Sequence, residues 1–156
     1  MSDLKTLIST YAKPGRVAWI GLRPERRGQM VPVEEAMITP EGLEGDHARP
    51  GKRAVTLVQA EYLPVIGAML GQQAVAPAIL RRNLVVEGIN LGALKGRVVQ
   101  VGSAVLQFEV ICAPCSRMEK ALGRGGYSAV RGHGGWCASV LEPGRVAVDD
   151  LVRPID

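Results

Sequence analysis

The sequence predicts a mainly β chain: a barrel or sandwich of short strands with a few short helices attached. Three observations carry that prediction. Nineteen glycines and ten prolines are spread along 156 residues, which implies many turns and few long helices. Short apolar segments recur at close, regular spacing between turn residues, the signature of an all-β barrel or sandwich. These segments do not alternate with long helical patterns, which argues against a parallel α/β sheet. The length fits one domain covering residues 1–156.

The elements follow in order. Leu4, Leu7, Ile8 and Tyr11 keep helical spacing behind Ser2, a candidate N-cap. They predict a short amphipathic helix over 3–12, stopped by Pro14-Gly15. Residues 16–24 (RVAWIGLRP) read as a strand, and so do 31–39 (VPVEEAMIT), where Pro32 implies an edge or a strand start. A third strand is expected over 53–59 (RAVTLVQ). A helix over 60–70 tolerates Pro64 only near its first turn. Residues 83–88 (NLVVEG) read as a short buried strand. Beyond residue 96, GRVVQVG and AVLQFEVI flank Gly102-Ser103 and predict a hairpin. WCASVLE and RVAVDDLV flank Pro143-Gly144 and predict a second.

Apolar residues form 47% of the chain and charged residues 22%, enough for a buried core and a soluble surface. No apolar run reaches the roughly 18 residues a membrane span needs. The N-terminus, MSDLKTLIST, lacks the basic and apolar segments of a secretory signal. The expected compartment is therefore a reducing cytoplasm, where cysteines more often serve catalysis or metals than disulfides. A net charge of +4 favours an anionic ligand or nucleic acid, or simply belongs to a mildly basic soluble protein. Six aromatic residues are a thin supply for stacking bases, which disfavours nucleic acid.

Chemistry concentrates in ICAPCSRME, residues 111–119, which holds two of the three cysteines. A strand delivers the chain to Cys112. Ser116 and Glu119 then form Ser-x-x-Glu, a capping box that starts a short helix ended by Gly123. Cys115 lies just before the cap, where the positive end of the helix favours thiolate. Three readings stay open. Cys112 and Cys115 form a thioredoxin-like dithiol. Cys112, Cys115, His133 and Cys137 hold zinc. Or Cys115 works alone, as nucleophile or metal ligand, with Cys112 and Cys137 filling the core.

Three further segments carry polar groups. Residues 41–57 (EGLEGDHARPGKRAVTL) form either a solvated loop or an anion-binding loop over a barrel mouth, with Arg53 at its rim. Asp46 and His47 there suggest a hydrogen-bonded pair that orients the imidazole. Residues 80–92 place Arg81, Arg82 and Asn83 before a strand, as surface residues or as phosphate-reading forks. Residues 123–140 are glycine-rich around Arg131 and His133 and match neither a P-loop nor a dinucleotide fingerprint. Their glycines suit close backbone approach to a ligand or a tight barrel loop.

In this order, Arg23-Pro24, EGDHARPGKRAVTL, RRNLVVEGINLGAL, GRVVQVGSAVLQF leading into CAPCSRM, and RGHGGWCASVLEPGRVAVDDLV resemble the MOSC domain, named for the C-terminal domain of molybdenum cofactor sulfurase. The resemblance covers about 16–153 and is to small stand-alone bacterial members. It implies a MOSC-like β-barrel. Cys115 falls at the family's characteristic cysteine, which implies a catalytic, sulfur-handling or metal-contacting thiol. Arg82 and Asn83 fall on its Arg-Asn motif, and Gly134 and Gly135 on its Gly-Gly motif. The cofactor implied is molybdenum cofactor (molybdopterin), with persulfide carriage and pyridoxal phosphate binding as further family associations. Arg53, Arg82 and Arg131 would contact the anion, and His47 or His133 would handle protons. A separate sulfur donor or redox partner protein is expected, and no membrane. Asp149 departs from the family's Val-Gly-Asp turn. The rival expectations are a basic barrel that binds nucleic acid and a domain stapled by zinc.

Overall fold

Alternation of apolar and polar residues drives the longest strands. In β8 (Ala104–Ile111), Ala104, Leu106 and Phe108 are buried while Val105, Gln107 and Glu109 are half-buried on the outer face. Strand β7 (Val98–Val101) pairs antiparallel with it across Gly102-Ser103, the expected hairpin. The computed structural model describes residues 3–156.

Seven strands close into a barrel in the order β11 (Leu151–Pro154), β7, β8, β9 (Trp136–Glu142), β5 (Val55–Gln59), β6 (Leu84–Glu87) and β1 (Gly15–Leu22). Strand β11 pairs back onto β1, so the ring has no open edge. Neighbours β5 and β6 run parallel, and the other barrel pairs run antiparallel. Strand β2 (Val31–Val33) extends the sheet beyond β1. Strands β3 (Glu35–Thr39), β4 (Gly42–Leu43) and β10 (Gly144–Ala147) make a separate three-stranded sheet.

The helices are short. Helix α1 (Leu4–Ser9) is capped by Asp3, whose Oδ1 accepts from the Thr6 N–H at 2.8 Å. It is shorter than the expected 3–12, and Ser2 lies outside the described residues. Helix α2 (Tyr62–Met69) carries Pro64 in its first turn, where proline costs no hydrogen bond. Helices α3 (Pro77–Leu80), α4 (Ser116–Leu122) and α5 (Gly126–Val130) complete the set.

Two apolar clusters result. One fills the barrel with Leu57, Leu84, Leu106, Phe108 and their neighbours. The other lies between the barrel wall and the helices, built on Val58, Ile66, Leu80, Val85, Met118 and Val130. Strand β5 serves both, with Leu57 in one and Val58 in the other, and is buried along its whole length.

Three local expectations are corrected. The strand over 31–39 divides at Glu34, whose carbonyl accepts from Val148 N–H at 2.9 Å as the chain passes from β1 to β10. Pro143-Gly144 is not a hairpin turn: β10 pairs with β3 instead of β9. A Cβ on Gly144 would come within 2.5 Å of the Ser103 and Ala104 backbone, so that glycine serves a tight crossing. Asp149 then breaks the last segment at φ 78°, in the left-handed region that glycine adopts most readily. The capping box does not form either. Cys115 is the N-cap of α4, and Glu119 reaches forward to the N–H groups of Gly125 and Tyr127 at 2.9 and 3.0 Å. Those two amides begin α5, and their hydrogen bonds hold the Glu119 carboxyl below its ordinary pKa.

Candidate functional site

The end of β1 and the starts of β5, β6 and β9 meet around a buried polar knot. Asn83, fully buried, uses its amide at both ends. Its Oδ1 accepts from Thr56 N–H and Thr56 Oγ1 at 3.1 Å and from Arg23 at 3.3 Å, and its Nδ2 donates to Gly21 O at 3.2 Å. Arg23 meanwhile forms a fork with Asp46, whose side chain has no exposed area, at 3.1 and 2.8 Å. Three connections that are distant in sequence are thus tied together by satisfied hydrogen bonds, as buried polar groups require.

Against this knot opens a basin of about 660 Å³. Its wall carries Arg23, Arg26, His47, Arg49, Lys52, Arg53, Thr56, Cys112 and Cys137. Arg23 is neutralised by Asp46. Arg26, Arg49, Lys52 and Arg53 have no ion-pair partner among the described residues. Four unpaired cations at one concavity create a positive field that concentrates anions. No group of three or more His, Cys, Asp or Glu side chains among the described residues could hold a metal ion, so the expected zinc set of Cys112, Cys115, His133 and Cys137 is not assembled.

All three cysteines are free thiols. Cys112 is the first residue past β8, and its N–H donates to Gly135 O at 2.8 Å. Its thiol shares the basin wall with that of Cys137, which favours its ionised form by hydrogen bonding to it. That bond, with Arg82, Arg23 and Arg53 nearby, outweighs burial and lowers the Cys112 pKa to about 6. Cys137 is pushed upward by the same bond, by burial and by the charge on its neighbour. Cys115 is exposed and lines neither the basin nor the smaller cavity described next.

That smaller cavity, about 120 Å³, lies on the other side of Cys112 and is walled by Tyr62, Leu91, Ile111, Trp136, Gly134 and Gly135 among others. The two glycines are required by backbone against backbone. A Cβ on Gly134 would meet Cys112 O at 2.6 Å, and one on Gly135, at φ 94°, would meet Leu57 O at 1.9 Å. Gly135→Ala is therefore expected to cost about 3 kcal/mol or more, from a steric clash added to left-handed strain. Urea unfolding checks it, and a loss below about 1 kcal/mol would refute this packing role.

The other expected site residues fall in three places. Arg53 and His47 line the basin. Arg82 is 6% exposed and donates to Gly134 O, Leu80 O and Cys112 O at 2.7, 2.7 and 3.3 Å. It clamps the glycine loop to the cysteine segment and does not line the basin. Arg81 similarly pins the 25–28 loop through the carbonyls of Glu25, Arg26 and Gly28. Asp46 orients Arg23 instead of His47, because the guanidinium offers two parallel donors that an imidazole lacks. Arg131 is exposed and lies away from the basin wall. His133 packs edge-on against Tyr62, ring centroids 5.0 Å apart, with a buried Nδ1 that has no hydrogen-bond partner. Arg49 and Lys52 come from the loop read as a candidate anion binder, whereas Arg26 and the proximity of Cys112 to Cys137 were not anticipated. The cations stood in two polar loops that only the closed barrel brings together.

A closed mixed barrel with a polar knot and a basic, thiol-bearing basin defines a class that comparison with known proteins names. The model of the MOSC domain matches residues 44–153, and the chain belongs to that family. No curated protein sequence matches it. Among solved structures, YuaD from Bacillus subtilis superposes with a TM-score of 0.78 at 17% identity, over 90% of this chain and 94% of that one. YiiM from Escherichia coli gives 0.72 at 24% identity, over 90% and 70%. YiiM from Geobacillus stearothermophilus gives 0.75 at 16%, over 92% and 76%. These likenesses establish a shared fold. No helix among the described residues is long and apolar enough to cross a membrane.

Proposed function

We propose that this chain holds molybdenum cofactor, or a closely related anionic ligand, in the basic basin, and that Cys115, exposed outside it, carries sulfur as a persulfide. The observation that carries the reading is the four unpaired cations around a cavity that two thiols also line. Membership of the MOSC family links that chemistry to molybdenum cofactor. The donor set fits. Arg53, Arg49, Arg26 and Lys52 supply the charge a pterin phosphate needs, arginine in forked pairs and lysine as a point charge. Thiolate is a reasonable ligand for a soft metal centre. When bound, the cofactor supplies a molybdenum centre able to exchange oxygen or sulfur.

The chain's own residues divide the remaining work. The Arg23–Asp46 fork and Asn83 hold the floor of the basin rigid. Arg82 fixes the carbonyls on either side of the cysteine segment. His47, exposed on the basin wall, is placed to exchange protons with solvent. Cys115, exposed at the outer end of the same segment, is accessible to a donor protein, as sulfur hand-off between two proteins requires.

The test is intact mass after exposure to a cysteine desulfurase and cysteine. A gain of one sulfur is expected in wild type and Cys112→Ser, and no gain in Cys115→Ser. No gain in any form would overturn sulfur carriage. Molybdenum and pterin that copurify with the wild type are expected to fall several-fold in Arg53→Glu. Unchanged content would overturn the basin as the binding site.

A further inference from the structure

We propose that Cys112 and Cys137 form a dithiol centre that exchanges with anionic low-molecular-weight disulfides, a site distinct from Cys115. Both thiols line the basic basin, and the β8–β9 register makes them neighbours.

The barrel register puts them there. Val110 on β8 pairs with Cys137 on β9, and Ile111 with Trp136. Cys112 continues past the strand end opposite Gly135. Residues two apart on one strand share a face, so Cys112 and Cys137 are diagonal neighbours on the same side of the β8–β9 pair. Cys112 is the first residue of the short irregular segment between β8 and α4, held beside β9 by its N–H on Gly135 O.

Their surroundings give them different roles. Cys112 is partly open to the basin, whereas Cys137 is 1% exposed behind it. An accessible thiol attacks, and a buried one resolves. The hydrogen bond from Cys137 and the neighbouring guanidinium groups favour thiolate on Cys112, the reactive form. Arg26, Arg49, Lys52 and Arg53 at the mouth select the charge of the incoming molecule. The chemical class is therefore a disulfide bearing carboxylates, for which glutathione disulfide is the probe.

The exchange balances. Cys112 thiolate attacks one sulfur of the disulfide, forming a mixed disulfide and expelling one thiolate. Cys137 gives up its proton to that leaving thiolate. Its sulfur then attacks Cys112 Sγ, forming the Cys112–Cys137 bond and expelling the second thiolate, which takes a proton from water. The protein is oxidised by two electrons, and one external disulfide is reduced to two thiols.

The experiment exposes the full chain to glutathione disulfide under anaerobic conditions, quenches with an alkylating agent and maps the peptides. The expected product in wild type and Cys115→Ser is an internal disulfide joining Cys112 to Cys137. Cys137→Ser is expected to stop at one glutathione on Cys112, and Cys112→Ser to react at least about tenfold more slowly. At low salt, glutathione disulfide should react at least about tenfold faster than the dication cystamine, and Arg53→Glu should erase that preference. A disulfide joining Cys112 to Cys115, no internal disulfide at all, or equal rates for the two probes would overturn the proposal. Peptide mapping of the wild type decides the pairing even if a variant fails to fold. Sulfur loading at Cys115 is read in a separate experiment, so the two proposals fail independently.

Discussion

Asn83→Ala is expected to remove about 3–5 kcal/mol of folding stability, the largest loss from any single polar side chain in the site. The side chain is fully buried, and its amide satisfies Thr56 N–H, Thr56 Oγ1, Arg23 and Gly21 O. Truncation strands a backbone donor, a hydroxyl, a carbonyl and part of a guanidinium in a place water does not reach, and each buried unsatisfied group costs about 1–3 kcal/mol. The sum is less than the parts because Thr56 Oγ1 still accepts from Asn83 N–H, and Arg23 keeps its fork to Asp46. A graded control is Thr56→Val, which removes only the hydroxyl and is expected to cost about 1–2 kcal/mol. Urea midpoints with unchanged slope check both. A loss below about 1 kcal/mol in Asn83→Ala would show that the knot does not hold β1, β5 and β6 together. The same variant should weaken anion binding in the basin, since the Arg23 side chain loses one of its three partners.

The parts of this fold that are local in sequence were legible in it. The β7–β8 hairpin follows from alternation on both sides of Gly102-Ser103, and the structure places it where alternation did. What resisted reading depends on partners remote in the chain. Pro143-Gly144 has the composition of a hairpin turn, but β10 finds β3, about a hundred residues earlier, because the strand directly across the turn is already paired on both sides. Glu119 has capping-box spacing, yet the amides of Gly125 and Tyr127 claim its carboxylate. Adjacent arginines at 81 and 82 look like a phosphate fork, but carbonyls from three loops use up their donors. The basin shows the same division. His47 and Arg53 were visible because they share a polar loop. The Cys112–Cys137 contact was not visible, since it needs the β8–β9 register, and Cys-x-x-Cys spacing pointed to Cys115 instead.

Cys112 should alkylate with an apparent midpoint near pH 6, well below an ordinary thiol at about 8.5. The groups that act on it are Cys137 from β9, Arg82 before β6, Arg23 beyond β1 and Arg53 before β5, while His47, Arg49 and Lys52 share the basin wall and the Asp46 carboxylate is already engaged by Arg23. At pH 6 half of Cys112 is thiolate, against well under 1% of an ordinary thiol. Lower basicity blunts nucleophilicity, so the net rate advantage is about tenfold. Cys137→Ala removes the largest stabilising contact and should move the midpoint upward. A midpoint unchanged in that variant would sink the assignment. The same shift acts on stability. Between about pH 6 and 8.5 the unfolded chain keeps the Cys112 proton while the folded chain has lost it, so stability rises with pH across that window. The contribution is fully present above about 8.5 and is lost as pH falls through about 6, with a ceiling near 1.4 kcal/mol per pH unit. Cys137, shifted the other way, makes stability fall again above its ordinary range. Wild type minus Cys112→Ser should therefore show a maximum on the alkaline side of neutrality. A difference flat with pH would mean that the two thiols are not coupled in the folded protein, and Cys112 would then have no electrostatic advantage as the attacking sulfur.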